Sequence, residues 1–512
     1  MQTHDQLAKM DAQQLRDFAA SLIEHVARQD DELRCRKLKI ELLTHEIALL
    51  KRWKFAARSE QLHGVQGSLL DEAIEADIEA LAAELDALQP ATDTPPSKDK
   101  PKRAPLPAHL PRVDVRHEPE VTVCGCGCAM KRIGEDVSEK LDYTPGVFQV
   151  ERHIRGKWAC AQCQILIPAP VPPQVIDKGL ATAGLLAQVL VAKYADHQPL
   201  YRQEDIFGRA GVAIPRSTLA QWVGACGVHL QPLVDALRAL LLERPVLHAD
   251  ETPVAMLAPG KGKTHRAYLW SYSSTQFDSL RAVVYDFTES RAGVHAQGFL
   301  QGWSGKLVCD DYSGYKALFA AGITEVGCLA HARRKFHDLW ANHQSAVAEE
   351  ALKHFAALYE VEQQVREFSS EERQRIRQLR ARPIADKFHA WLQLQRQKTT
   401  EGTAIAKAIN YSLGRWPALT RFLDDGALPI DNNWVENRIR PIALGRSNWL
   451  FAGTLRAGTR AAAAMTLIQS ARLNGHDPYR YLKDVLERLP TQPASRIGEL
   501  LPHSWTPATT SH

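Results

Sequence analysis

Between residues 244 and 329 the chain sets out strands and helices in an order that few folds accept. Arg244-Pro-Val-Leu-His-Ala-Asp250-Glu-Thr-Pro is a short apolar run ending on acid, and residues 265–273 and 281–287 are two more runs of β-branched and aromatic residues. A short helical segment follows at 293–300. Next comes Gly-Lys-Leu-Val-Cys-Asp310-Asp311-Tyr312, a fourth strand that also runs into acid, and residues 325–329 supply a fifth.

Three consecutive strands, a crossover helix, a fourth strand and then alternating helix and strand is the order of a ribonuclease-H-like fold. Its first and fourth strands lie side by side, which brings Asp250 and Asp310 together although they are far apart in the chain. Two adjacent carboxylates repel, and divalent cations relieve the repulsion. Mg²⁺ takes one or two carboxylates plus phosphates and water, and two such ions serve an in-line phosphoryl displacement. A third acid is wanted from a later helix. Asp431-Asn-Asn433-Trp-Val-Glu436-Asn437-Arg-Ile-Arg440-Pro offers Glu436 at helical spacing among amides and guanidinium groups, with Arg446-Ser-Asn-Trp449 just beyond. Arg pairs with phosphate through two parallel hydrogen bonds, and Trp stacks on unpaired bases. Taken alone, Glu436 reads equally well as half of a structural ion pair.

Five of the nine cysteines crowd together: Cys124, Cys126 and Cys128 on one side of a predicted strand hairpin (139–143 and 147–154), Cys160 and Cys163 on the other. Two close pairs of thiolates on two turns are what a tetrahedral structural Zn²⁺ site requires. Cys160 and Cys163 form one pair; on the first knuckle Cys126 with Cys128, or Cys124 with Cys128, fits equally. No secretory signal precedes the cluster, so it reads as a metal site and not as disulfides.

Residues 15–62 carry helical periodicity, with Val26, Leu33, Ile40 and Ile47 in heptad spacing and Leu43 and Leu50 on the alternate seam. Gln29 and Arg36 interrupt that seam, so a helical hairpin with a second helix at 69–88 competes with a coiled coil. Residues 90–111 hold seven prolines among polar residues and read as a linker. At 201–223 a helix, a break at Gly211 and a second helix opened by Pro215 match a helix-turn-helix whose second helix, 216–222, presents Arg216, Ser217, Thr218 and Gln221 to a DNA groove. The same packing also occurs as pure structure. The expected division is therefore N-terminal helices at 1–89, a linker at 90–116, a cysteine module at 117–175 and a helical region at 176–243. A core at 244–455 with a helical insertion at about 331–425 follows, then a C-terminal helical region at 456–512 with a loose tail from Pro490.

His-Ala-Asp250-Glu-Thr-Pro, Cys-Asp310-Asp-Tyr-Ser-Gly-Tyr, Gly-Cys-Leu-Ala-His331-Ala-Arg-Arg-Lys-Phe and Asp-Asn-Asn-Trp-Val-Glu436-Asn-Arg-Ile-Arg-Pro together closely resemble the DDE transposases of the insertion-sequence-66 family. The resemblance extends over nearly the whole chain and in the same order, from Lys51-Arg-Trp-Lys-Phe-Ala-Ala-Arg-Ser-Glu-Gln-Leu to Ala471-Arg-Leu-Asn-Gly-His-Asp-Pro-Tyr-Arg-Tyr-Leu. It implies a metal-dependent DNA transposase with Asp250, Asp310 and Glu436 as catalytic triad. Many members read Asp-Gly in the second motif, so Asp310 and not Asp311 aligns with the acid. Members with a plain Cys-x-x-Cys first knuckle leave the first two zinc ligands of this chain open.

The expected protein is thus a multidomain α/β enzyme with two Mg²⁺ or Mn²⁺ ions at the triad and structural Zn²⁺ in the cysteine module. Its partners would be the element's terminal repeats and target DNA, with DNA contacts from His331, Arg333, Arg334, Lys335, Asn433, Asn437, Arg440, Arg446 and Trp449. A dimer through the N-terminal helices, accessory proteins of the same element, no membrane, and a cytoplasmic, nucleoid-associated location complete the expectation. The competing classes are a non-catalytic zinc and helix-turn-helix regulator, and a nuclease or resolvase that never joins ends. Lys and Arg number 63 against 59 Asp and Glu, a net charge of +4, so any basic DNA-binding surface must be local.

Overall fold

The computed structural model describes residues 12–57, 65–88, 106–108, 110–119, 123, 128–144, 146–160, 162, 165–170, 173–176, 179–258 and 263–507. Cys124, Cys126, Cys163 and most of the expected linker lie outside them.

Helices α1 (Ala12–Ala57) and α2 (Val65–Leu88) form a hairpin over part of their length. Leu43 and Leu50 of α1 are buried against Ile74 and Leu81 of α2. Nearer the start of α1, Leu22, Val26, Leu33, Leu38 and Leu42 are exposed. The hairpin is therefore realised at one end of α1, and the heptad positions Val26 and Leu33 stay uncovered among the described residues.

In the cysteine module, strand β1 (Arg112–His117) occupies the end of the stretch expected as linker. Val113 and Val115 alternate there, and β1 runs parallel to β3 with Arg112 opposite Val150. The hairpin of β2 (Lys131–Thr144) and β3 (Val147–Ala159) turns at Gly146, whose φ of 90° suits glycine. A short β4 (Leu166–Pro168) pairs with β3.

Helices α3 (Ala183–Tyr194), α4 (Leu200–Arg209) and α5 (Arg216–Leu241) follow. The turn between α4 and α5 has Gly211 at φ 85° with Val212 and Ile214 buried, as expected of a helix-turn-helix. The second helix does not stop at Trp222. Leu219, Val223, Cys226, Leu230, Leu233, Leu237 and Leu241 recur at helical spacing and are all buried, so α5 continues as a central core helix.

The second sheet has the order β7-β6-β5-β8-β9. Strands β5 (Val246–Ala258), β6 (Lys263–Ser274) and β7 (Val283–Thr288) are antiparallel, while β8 (Lys306–Cys309) and β9 (Thr324–Gly327) run parallel to β5. Helices α6 (Gly293–Phe299) and α7 (Lys316–Ala320) lie between these strands in sequence. Successive strand residues point to opposite faces, and both faces are covered. Leu247, Ala249, Leu307 and Cys309 join the core that includes Leu237, Leu241 and Phe299. Val246, Val308 and Val326 join a second core made by inserted helices. Those are α8 (Leu329–His343), α9 (Ala346–Val365), α10 (Ser370–Ile376), α11 (Arg382–Lys398), α12 (Ala404–Gly414) and α13 (Trp416–Thr420). Phe336, Phe355, Phe388 and Phe422 fill the insertion's interior.

The chain then returns to the sheet as α14 (Asn433–Trp449), α15 (Leu455–Leu473) and α16 (Pro478–Arg488). Helix α15 closes the β7 edge: Thr466 Oγ1 accepts from Tyr285 N at 2.9 Å and Ser470 Oγ from Val283 N at 3.1 Å, leaving these edge amides satisfied. The residues beyond Pro490 are not a loose tail. Leu500, Leu501 and Trp505 are buried in the main core, Tyr481 OH donates to Leu500 O and Trp505 Nε1 to Asp484, so a few apolar anchors override the polar composition. No helix among the described residues is long and apolar enough to cross a membrane.

Candidate active site

Register decides which acids meet. Strand β5 pairs with β8 in parallel with Val246 opposite Lys306 and His248 opposite Val308. Continuing that offset puts Asp250 level with Asp310, just past the end of β8. Asp250 lies on the same face as Val246 and His248, which is the face of the insertion and α14. Glu251, one residue on, points the other way. There its carboxylate is 1% exposed, paired with Arg291 at 2.5 Å and accepting from Tyr315 OH at 2.9 Å.

Glu436 reaches the same face because the start of α14 is pinned at several points. Asn432, fully buried, holds His248 Nδ1 through its Oδ1 at 2.7 Å and donates from Nδ2 to Ala249 O at 2.9 Å. That pairing fixes the proton of His248 on Nδ1. The Asn432 backbone N–H donates to Cys328 Sγ at 3.1 Å, Leu329 N donates to Ile430 O, and Tyr359 of α9 donates to Asp431 at 2.7 Å. Glu436 follows Asn432 by one helical turn.

The electrostatics are those of crowded acids. Burial pushes the Asp250 carboxyl well above the usual range, and the charges of Glu251, Glu436 and Asp310 push it the same way. Burial likewise raises Glu251, with Arg291 opposing. His248, enclosed completely, is pushed down to about 4 and stays neutral. Oε1 of Glu436 is buried and has no hydrogen-bond partner. Carboxylate oxygens are the hard donors Mg²⁺ and Mn²⁺ prefer, and an orphaned oxygen beside a buried, crowded carboxyl fits residues that hold cations. Asp311 is turned aside to Arg415 at 2.5 Å, and the same guanidinium reaches Glu325 and the backbone oxygen of Asp310.

Of the expected DNA contacts, His331 and Arg334 lie beside Glu436, each at 3.5 Å. Arg333, Lys335, Asn433, Asn437 and Arg440 are exposed on α8 and α14, with Lys335 above the Tyr411 ring. Arg446 instead braces β5, donating to Thr252 Oγ1 and Pro253 O, and Trp449 packs half-buried against the main core. At the helix-turn-helix, Ser217 is exposed and Arg216 and Thr218 partly so, but Gln221 donates to Glu75 of α2 at 3.3 Å. Cys128 and Cys160 share a small apolar cluster with Met130, Trp158 and Ile167 at the open end of the β2–β3 hairpin. Sequence reasoning did not single out Glu251, Arg291 or Arg415, and took Asn432 only as one of the amides flanking Glu436, not as an anchor. Asn432 and Glu251 sit inside the quoted motifs and were within reach; Arg291 and Arg415 have no local signal.

Residues 178–460 match the model of the transposase IS66 family, and residues 466–503 that of the IS66 C-terminal element. The chain belongs to the IS66 family of transposases. Residues 122–164 match the zinc-finger binding domain of transposase IS66, and residues 42–115 match a model described as transposase C of IS166 homeodomain. This transposase is also similar to three uncharacterized proteins of Sinorhizobium fredii (strain NBRC 101917 / NGR234). It is 39% identical to y4jD over 78% of this chain and 81% of that protein. It is 38% identical to y4qI over 92% and 90%, and 34% identical to y4hP over 92% and 88%. An IS66 transposase is the DNA-cleaving enzyme of an insertion sequence, with DNA as its partner and structural zinc in its finger.

Proposed function

We propose that Asp250, Asp310 and Glu436 are the catalytic triad of a ribonuclease-H-like core that cuts the ends of its element and joins them to target DNA. The observation that supports this reading is that the β5–β8 offset, carried two residues past His248 and Val308, sets Asp250 level with Asp310, and that the charges of Asp310 and Glu436 both act on Asp250. These three carboxylates would hold Mg²⁺ or Mn²⁺, two ions per site, which would supply activation of an attacking oxygen and stabilisation of a leaving one. Water cuts the strand at the element end, and the freed 3′-hydroxyl attacks target DNA at the same site without a covalent enzyme intermediate.

The chain's own residues orient the substrate. Arg334, Arg333, Lys335 and Arg440 supply charge for the phosphates beside the acids, and the N-termini of α8 and α14 face the same space, where a helix end favours anions. Arg415 positions the Asp310 loop. Four of Cys124, Cys126, Cys128, Cys160 and Cys163 hold the zinc, and the exposed Leu22, Val26 and Leu33 support pairing of α1 with a second copy. The test is incubation with labelled element ends with and without Mg²⁺, scored for nicked and joined products. A regulator would bind the ends equally well without Mg²⁺ and leave them intact; a nuclease would nick and never join.

A further inference from the structure

The first turns of α8 and α14 meet in a second constellation whose chemistry differs from that of the three acids. Cys328, at the N-cap of α8, joins His331 and Glu436 to offer a sulfur, an imidazole nitrogen and a carboxylate oxygen, all within 4.8 Å of one another. His331 Nδ1 and Glu436 Oε1 are 3.5 Å apart. Both atoms are buried and neither makes a hydrogen bond. A tetrahedral ion with bonds to N and O near 2.0–2.1 Å has ligand-to-ligand edges of roughly 3.4 Å, so this pair already stands as two corners of such a polyhedron. Burial pushes the Cys328 thiol up to about 12 against the smaller opposing effect of the Asn432 N–H directed at its Sγ, so an incoming cation has to displace the thiol proton.

A set of S, N and O donors is poor for Mg²⁺ and good for Zn²⁺. We propose that Cys328, His331 and Glu436 bind a borderline divalent cation of the Zn²⁺ type, with the fourth position open to water. On binding, the Cys328 S–H bond breaks, a sulfur–metal bond forms and the proton passes to solvent; the metal keeps its oxidation state. Glu436 is common to this site and to the acids, so Zn²⁺ here withdraws the third acid and depresses cleavage supported by Mg²⁺. That consequence rests on the catalytic reading of Glu436; the binding itself does not.

The test uses untagged full-length protein loaded with a single equivalent of Zn²⁺, which fills the cysteine module alone, then titrated with Co²⁺ and read by thiolate-to-Co²⁺ absorption and by equilibrium metal analysis. Wild type should take one further equivalent with a thiolate band, and Cys328→Ser should lose the band. His331→Gln should bind more than about tenfold more weakly, because even an outer-shell partner of a metal ligand is worth roughly 10 to 100-fold. His331 is partly exposed, so its variant keeps the fold if the buried Cys328 variant does not, and circular dichroism verifies this. Wild type that binds no Co²⁺ beyond the module, or His331→Gln that binds as tightly as wild type, overturns the proposal. Neither readout involves DNA, so failure here is distinct from failure of the acids to catalyse.

Discussion

Removing one amide should uncouple the third acid from the sheet. In Asn432→Ala, the fully buried His248 loses its Nδ1 partner and Ala249 O loses the Nδ2 donor, whose bonds are 2.7 and 2.9 Å long. Each buried group left unsatisfied costs about 1–3 kcal/mol, so the local penalty for the two is about 2–6 kcal/mol. Every 1.4 kcal/mol is tenfold in an equilibrium. Native-state hydrogen exchange of the β5 amides should therefore accelerate by roughly 30-fold or more, while the insertion's own core, built on Phe355 and Phe388, keeps its protection. Glu436 lies one turn beyond the lost anchor, and on its proposed catalytic role a misplacement of about 1 Å costs on the order of 100-fold. Cleavage of labelled ends should fall by about that factor in protein that is still folded. The reasoning is refuted if β5 exchange moves by less than about twofold, or if cleavage falls only in proportion to the fraction unfolded.

Three further outcomes follow from buried charge. Asp250→Asn should abolish cleavage with end binding retained and, in metal-free buffer, raise the melting midpoint by a few degrees, because it removes a carboxylate whose ionisation burial and three neighbouring acids oppose; full strand transfer by this variant would sink the triad. His248 has a folded value of about 4 against an ordinary 6.5, so the unfolded chain takes up the proton first as pH falls. Raised carboxyls such as Asp250 and Glu251 act with the opposite sign, so the His248 contribution is read as a difference: between pH 7 and pH 5 in urea titrations of the core, wild type should lose roughly 2 kcal/mol relative to His248→Gln. Arg460→Met leaves Asp77, 1% exposed and paired with Arg460 at 2.5 Å, without its ion-pair partner, holding only the Thr454 hydroxyl and the weaker field of Arg456. The docked hairpin should lose about 3–5 kcal/mol, seen as faster exchange in α2, and Asp77→Leu in the same chain should recover part of it; unchanged exchange in α2 would show that this pair does not hold the hairpin.

The strand order of the second sheet was legible because β-branched and aromatic runs alternate with turn residues, and the register followed once β5 and β8 were neighbours. The two acids on one face needed no more than period two: Val246, His248 and Asp250 share a side, and Glu251 cannot. What was not legible depends on contacts between distant segments. Nothing near Arg415 announces that it clamps the loop after β8, and a polar stretch after Pro490 gives no sign that Leu500 and Trp505 will find the main core. The N-terminal heptads fell between these cases. Leu43 and Leu50 found α2 as a hairpin, while Val26 and Leu33 stay exposed among the described residues.

The insertion explains why the third acid could be recognised by motif and still not be placed by it. Glu436 arrives only after six inserted helices, and loop-closure entropy across so long a detour would leave it unlocated if the chain re-entered freely. It does not re-enter freely. The insertion packs Val246, Val308 and Val326 into its own interior, so it is built onto the sheet face that carries Asp250 and Asp310. Its exit segment is tied to its entry helix by Leu329 N to Ile430 O and by Asn432 N to Cys328 Sγ. The detour thus begins and ends at one point of the sheet, and its length is irrelevant to where Glu436 lies. A shorter or longer insertion that kept Cys328, Leu329, Ile430 and Asn432 in these contacts should still deliver the acid, whereas a substitution at Asn432 should fail with the insertion intact.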